Sequence, residues 1–569
     1  MSCSAPRHIF QAHRNPLLPL AIAFGFIFSG VHARGEDYVL IVGGGPNPTN
    51  NQVSLESNVL FAKRTLEQAA GGKRKLQIFF ADGKVDKPDL QYRDPGLQHD
   101  PAVLWMTRLL GNVEAIDYRY RDHRVQPIDG PTRKAFLKQA FFELADELEQ
   151  DDRLILYVTS HGGGAQGDVF FNEQLYDSEY ADYYNHEELN EYDTTIALWG
   201  DDSLTVSELD GWLNRFSPDV PVVMIMAQCH SGGFAHAIFH SADQDQGLNP
   251  QVRAGFFSQR HDRAAAGCTP DIDESTYQEY STFFWEAIGG TSRSGQVAES
   301  ADYDGDGHVS FREAHAYAVV VSDTIDIPVT SSEAFLRRYS EIPAPREQEE
   351  STDRARGGLL GAFFGGRRAD NNADPDDSVS QDVPLDREQT IADLMQLARP
   401  DQKVVIEQMS DETESDLQTT VEDVRRRATD LEQEIEGKEA VWATAAGLVS
   451  TQAQSVLDSV ALQWPALNNY TFSPTVNELT GPKSADFVNY IQSQPQADAY
   501  LQAVERADTL FDELSEIQLR EAKQRRLLRT LENVLLEKNL HRHAAEQQLR
   551  YFEKLTALEQ QSFPVQSPQ

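Results

Sequence analysis

The chain has 569 residues, too many for one compact core at roughly 100–200 residues per domain, so about two to four units are expected. Asp and Glu number 90 against 50 Lys and Arg, a formal net charge of −40, which argues against nucleic-acid binding through basic patches and against docking on anionic lipid. Hydrophobic residues at 40% and aromatics at 9% are enough to build a core, and three cysteines are too few for a disulfide framework.

Residues 1–33 read as a secretory signal peptide. Arg7 and Arg14 precede the apolar run Leu17 to Phe28, and Val31-His32-Ala33 supplies small residues at the cleavage spacing. A run of about a dozen apolar residues is short for a ~30 Å bilayer core, and no later stretch is apolar enough to span one. The expected product is exported, periplasmic or extracellular, with no stable membrane span after signal removal. It keeps Cys229 and Cys268 as its only cysteines.

From 34 to about 342 the pattern is α/β. Short apolar runs at Tyr38–Val42, Leu76–Phe80, Leu154–Val158 and Val222–Met226 predict buried strands. Helical spacing occupies Asn51–Ala70, about Thr132–Glu149 and Leu204–Phe216. Alternating strands and helices imply a mostly parallel sheet flanked by helices, whose functional groups collect at the carboxyl ends of the strands. Residues 343–386 are rich in Arg, Gly, Asp, Asn and Pro and read as a flexible linker. Residues 387–569 predict a mainly α-helical region. Leu417, Val421, Val424, Ala428, Leu431 and Ile435 form one heptad seam, and Leu510, Leu514, Ile517, Leu528, Leu531 and Leu535 a second. An antiparallel hairpin or a coiled coil is expected, with self-association through these helices as one use of the seam.

Two strand ends carry reactive groups. The third predicted strand runs into Thr159-Ser160-His161-Gly162-Gly163, and the fourth into Ala227-Gln228-Cys229-His230-Ser231-Gly232-Gly233. If the strands are neighbours, an imidazole and a thiol share one rim. A thiol near pKa ~8.5 becomes a useful nucleophile when an imidazole or a helix N-terminus lowers that value. Both aids are expected here, from His161 and from a helix starting near Ser231–Phe234. Gly162 lets its backbone come close to a substrate carbonyl, and its N–H can stabilise an oxyanion. A Cys229–Cys268 disulfide is the competing use of the sulfur.

Strand-His-Gly followed by strand-x-x-Cys resembles the caspase-like cysteine peptidases, which include caspases, metacaspases and legumains, and Cys229-His230-Ser231-Gly232 is similar to the metacaspase C-H-S-G. The resemblance covers roughly Asp37 to Tyr317. It implies a caspase-like fold and a catalytic dyad of Cys229 as nucleophile and His161 as proton shuttle. The backbone amides of Gly162 and Cys229 would be the oxyanion donors, and a peptide or protein the substrate. Arg253–Ala265 would be the family's next strand and substrate-pocket loop. Ala227 stands where metacaspases place Asp, so preference for Arg or Lys would need a carboxylate from the acidic loop Asp168–Asp202, and a legumain-like preference for Asn stays open. Self-processing in the linker is expected at Arg354, Arg356, Arg367 and Arg368, or at Asn371 and Asn372.

Asp302, Asp304, Asp306, Gly307, Ser310 and Glu313 fit the EF-hand pattern D-x-D-x-D-G-x-x-x-x-x-E over 302–313. The expected Ca²⁺ ligands are Asp302, Asp304, Asp306, the His308 carbonyl, Ser310 and a bidentate Glu313. No organic cofactor is expected. The glycines Gly43 to Gly45 are followed by Pro46-Asn47-Pro48, which breaks a dinucleotide fingerprint. His236 and His240 have zinc-pair spacing, but Ala237 stands where a metalloprotease needs Glu. Two functions follow: an exported cysteine endopeptidase, or a catalytically inactive caspase-like Ca²⁺-binding scaffold that assembles partners through its helical region.

Overall fold

The computed structural model describes residues 35–69, 74–111, 114–165, 190–340, 388–472 and 474–563. The expected signal peptide, the expected linker with its cleavage candidates and most of the segment Asp168–Asp202 lie outside them.

Among the described residues the strands are β1 (Asp37–Gly43), β2 (Arg74–Phe80), β3 (Leu90–Arg93), β4 (Tyr118–Arg121), β5 (Arg153–Thr159), β6 (Gly162–Gly163), β7 (Thr195–Leu198), β8 (Asp202–Thr205), β9 (Val222–Met226), β10 (Arg253–Phe257) and β11 (Val329–Thr330). Six of them form one sheet in the order β11-β10-β9-β5-β1-β2, parallel except at β11. Every residue of β1, β5, β9 and β10 is buried, as the unbroken apolar runs require when both faces of a sheet are covered. The covering helices are α1 (Val53–Gln68), α3 (Lys134–Glu147), α4 (Val206–Leu213), α5 (Tyr280–Gly289), α6 (Phe311–Val321) and α7 (Ser331–Ser340), with α2 (Pro101–Leu110) inserted between β3 and β4. The chain proceeds from β1 outward to β2 and then crosses to β5 on the other side of β1. The strand order therefore reverses between β1 and β5, where ligands bind in sheets of this kind.

Beyond residue 388 the structure is helical: α8 (Ile391–Leu397), α9 (Pro400–Glu412), α10 (Val421–Gln463), α11 (Pro474–Leu479), α12 (Ser484–Gln492), α13 (Pro495–His543) and α14 (Glu546–Glu559). The long helices α10 and α13 are antiparallel. Arg425 pairs with Glu532, Arg525 with Glu432 and Lys438 with Glu513, so the pairing runs in opposite senses along the two chains. The predicted seam residues Val421, Val424, Ala428, Ile435, Leu510, Leu514, Ile517, Leu528, Leu531 and Leu535 are buried. Leu417 is not part of that seam. It is 58% exposed and precedes α10, whose N-cap is Thr420 in a reciprocal capping box with Asp423.

The helical half does not stand apart. Leu531, Leu535, Val405 and Leu555 belong to the same buried cluster as Leu40, Ile155 and Met224, and Gly35–Gln569 forms one compact unit. A second buried cluster, which includes Trp105 of α2, Val460 of α10, Phe487 of α12 and Tyr500 of α13, is separate from it. Among the described residues no helix is long and apolar enough to cross a membrane.

Candidate active site and acidic loop

β5 and β9 are parallel neighbours with Val158 opposite Met226. His161 lies three residues past Val158, and Cys229 three past Met226, so the two reach the same rim at the same height. The glycine between the motifs shows how closely their backbones approach. A Cβ built on Gly162 would sit 2.1 Å from the Cys229 carbonyl oxygen, 2.8 Å from Gln228 Cγ and 3.0 Å from the Thr195 carbonyl oxygen. Gly162 is thus small because the Cys229 backbone lies against it, a different reason from approach to a substrate carbonyl. The loop is fixed from the other side by the Ala197 N–H, which donates to the His161 carbonyl at 2.9 Å.

His161 is held by a residue that its own motif does not reveal. Its Nε2 lies 2.9 Å from Gln52 Oε1, in the loop after β1. The bond crosses the switch point between β1 and β5. Burial lowers the His161 pKa, and a backbone hydrogen bond with Asn50 opposes that shift.

Cys229 is 9% exposed and free, as is Cys268, so the disulfide alternative is not formed. The Ala265 N–H donates to Cys229 Sγ at 3.2 Å. This amide belongs to the loop after β10, the segment expected to follow the family's next strand. Burial raises the Cys229 pKa, with the hydrogen bond from Ala265 opposing it. The expected lowering of the thiol is therefore not seen. Both shifts favour a neutral thiol beside a neutral imidazole. The helix expected near Ser231–Phe234 is a 3-10 helix, Ser231–Ile238, preceded by His230 in the left-handed region at φ 58°. His230 is fixed there by its N–H to the Arg263 carbonyl at 2.9 Å, its Nδ1 to the His261 carbonyl at 2.7 Å, and the Thr194 hydroxyl on its own carbonyl at 2.9 Å. His236 stacks on Tyr192 with ring centroids 3.4 Å apart, and His236 and His240 lie on two short 3-10 segments rather than one α-helical face.

Buried acids sit behind the sulfur. The Asp326 carboxylate accepts from the Ala266 N–H at 2.7 Å, and burial pushes its pKa up to about 7. Its charge also contributes to the upward shift of Cys229. The sequence gives no sign of it, because Asp326 lies in the unpatterned loop between α6 and β11.

A different acidic loop, 302–313, lies between α5 and α6. Carboxylate oxygens of Asp302, Asp304 and Asp306 are within 4.8 Å of one another. Asp302 accepts the N–H groups of Gly305, Asp306 and Gly307 at 2.9, 3.1 and 3.0 Å, and Gly307 has φ 88°, the turn that the motif needs glycine for. The His308 N–H donates to Asp306 at 2.8 Å. Ser310 is the N-cap of α6, and its hydroxyl donates to Glu313 at 2.9 Å. The other Glu313 oxygen accepts from Tyr303 and Asp304 N–H at 2.8 and 3.0 Å, which folds the two ends of the loop together. The exiting helix begins where the pattern requires. No helix leads directly into the loop, because α5 ends at Gly289. The three aspartates are therefore clustered, and both Glu313 oxygens accept hydrogen bonds from the loop itself.

No family model and no curated protein matches the chain. Among solved structures, it is similar to protein GSU0716 from Geobacter sulfurreducens at 13% identity and a TM-score of 0.23, over 41% of this chain and 77% of that one.

Proposed function

We propose that the protein is an exported caspase-like cysteine endopeptidase. The observation that carries this reading is the meeting of the two motifs on one rim, with Gly162 packed against the Cys229 carbonyl. In the proposed reaction the Cys229 proton passes to the His161 imidazole as sulfur attacks the scissile carbonyl carbon. The oxyanion is held by the Gly162 and Cys229 N–H groups. Collapse breaks the C–N bond as His161 protonates the leaving amine, and water, activated by His161, hydrolyses the thioester. Because both resting shifts oppose the charged forms, the thiolate–imidazolium pair forms once substrate is bound.

The loop 302–313 is read as a Ca²⁺ site held by Asp302, Asp304, Asp306 and Glu313, with the His308 carbonyl and Ser310 completing it. Its role is structural, since it ties the start of α6 to the loop after α5. Burial of the sulfur favours one other reading, a Ca²⁺-binding scaffold without catalysis.

Incubation of the mature chain with a mixed peptide library separates the two. The enzyme reading predicts cleavage that falls by about 10²- to 10⁴-fold in His161→Ala and disappears in Cys229→Ala. Cleavage unchanged in both variants, or none by the wild type, contradicts it.

A further inference from the structure

We propose that Asp82, Asp89 and His123 form a second metal site, for a divalent transition cation of the Zn²⁺ class. The three come from different elements: Asp82 follows β2, Asp89 precedes β3 and His123 follows β4. One ligand atom from each lies within 4.8 Å of the others. Asp82 is 9% and Asp89 1% exposed. Asp82 Oδ1, Asp89 Oδ2 and His123 Nδ1 are all shielded from solvent, and none has a hydrogen-bond partner. Buried polar atoms are nearly always satisfied, so three orphans in one cluster indicate a missing common partner. A proton shared between Asp82 and Asp89 serves only those two, whereas a cation accepts lone pairs from both carboxylates and the neutral imidazole together.

The surroundings are those of a metal ligand set. His123 Nε2 is 2.8 Å from the Gly83 carbonyl oxygen, so this nitrogen carries the proton and Nδ1 presents its lone pair to the cluster. The other Asp89 oxygen accepts the His123 N–H at 2.9 Å, and the Asp89 N–H donates to the Arg121 carbonyl at 3.1 Å, which fixes two of the ligands across the base of the β3–β4 hairpin. Gly83 takes φ 82° in the turn that brings Asp82 back toward them. An ion of this class sits about 2.0–2.2 Å from each ligand atom. The imidazole nitrogen selects a borderline cation over Ca²⁺, whose ligands are oxygens. The site is distinct from the acidic loop and lies at the end of the sheet edge strand, on the rim that also carries His161.

The test uses the full mature chain in excess Ca²⁺, so that the acidic loop does not compete for Zn²⁺. After gel filtration, elemental analysis is expected to find one equivalent of Zn²⁺ on the wild type and on Asp302→Asn, and none on Asp89→Asn or His123→Gln. Co²⁺ is expected to give visible d–d bands in the wild type that Zn²⁺ removes. That second readout requires no variant to fold. Wild-type protein that retains no Zn²⁺ and gives no Co²⁺ bands overturns the proposal. So does equal retention by folded Asp89→Asn and His123→Gln.

Discussion

Gly162 has no room for a side chain. An added methyl would lie 2.1 Å from the Cys229 carbonyl oxygen, so Gly162→Ala must push the His161 loop and the Cys229 loop apart. Overpacking of this kind costs about 1–3 kcal/mol. Gly162→Ala is expected to lower the unfolding free energy by that amount and to lose cleavage disproportionately, measured on the fraction that remains folded. Gln52 acts on the same site through His161. Burial already lowers the His161 pKa below its usual value, so the base form persists to lower pH than for an exposed histidine. A carboxylate at position 52 would stabilise the imidazolium and raise that pKa. The base form would then be lost at higher pH as the solution is acidified. The acid limb of the pH dependence of kcat/KM is therefore expected to move upward in Gln52→Glu. An unmoved limb would show that His161 does not titrate in the reaction.

At the scale of elements, the predicted strands were legible because unbroken apolar runs have few alternatives once both faces of a sheet are covered. Tyr38–Val42, Leu76–Phe80, Leu154–Val158 and Val222–Met226 all fall inside observed strands. The rim position of His161 and Cys229 was legible for the same reason, since each motif directly follows such a run. What escaped the sequence lies in loops without periodicity: Gln52, Ala265 and Asp326 come from three different connections and meet only through the strand order. The pKa direction of Cys229 was misjudged because burial by the loop after β10 outweighs a short 3-10 helix. The loop 302–313 makes its own prediction. Ca²⁺ bound to the folded state alone adds about 2.7 kcal/mol at a hundred times its dissociation constant. A thermal shift on adding Ca²⁺ is expected in the wild type and is expected to vanish in Asp302→Asn. An equal shift in both would place the ion elsewhere.

At the scale of the whole molecule, the helical half is fastened to the sheet through buried arginines. Arg526 on α13 donates to the carbonyls of Val319, Ser322, Thr324 and Asp326 at 3.1, 2.6, 2.8 and 2.7 Å, closing the end of α6 and the loop behind Cys229. Arg263, in the loop that carries Ala265, is held by Glu521 of the same helix at 2.8 and 2.9 Å. Arg312 of α6 reaches Glu559 of α14 at 3.1 Å. Heptads in the sequence identified the hairpin but not what it packs on, because a seam specifies a partner's spacing and not its identity. Arg526→Met would strand several carbonyl oxygens at about 1–3 kcal/mol for a buried group left unmatched. Scanning calorimetry is expected to show a lowered transition that stays single, since the largest buried cluster includes residues of both halves. Two separated transitions in the wild type would mean the halves fold independently.

The most direct measurement is the mass of the mature chain after treatment with peptidyl fluoromethyl ketones, which alkylate a sulfur only when a neighbouring imidazole activates it in a substrate-like complex. The account predicts one adduct, mapped to Cys229, lost in His161→Ala, with Cys268 unmodified. No adduct, or equal labelling of Cys268 and Cys229 that survives His161→Ala, would contradict it.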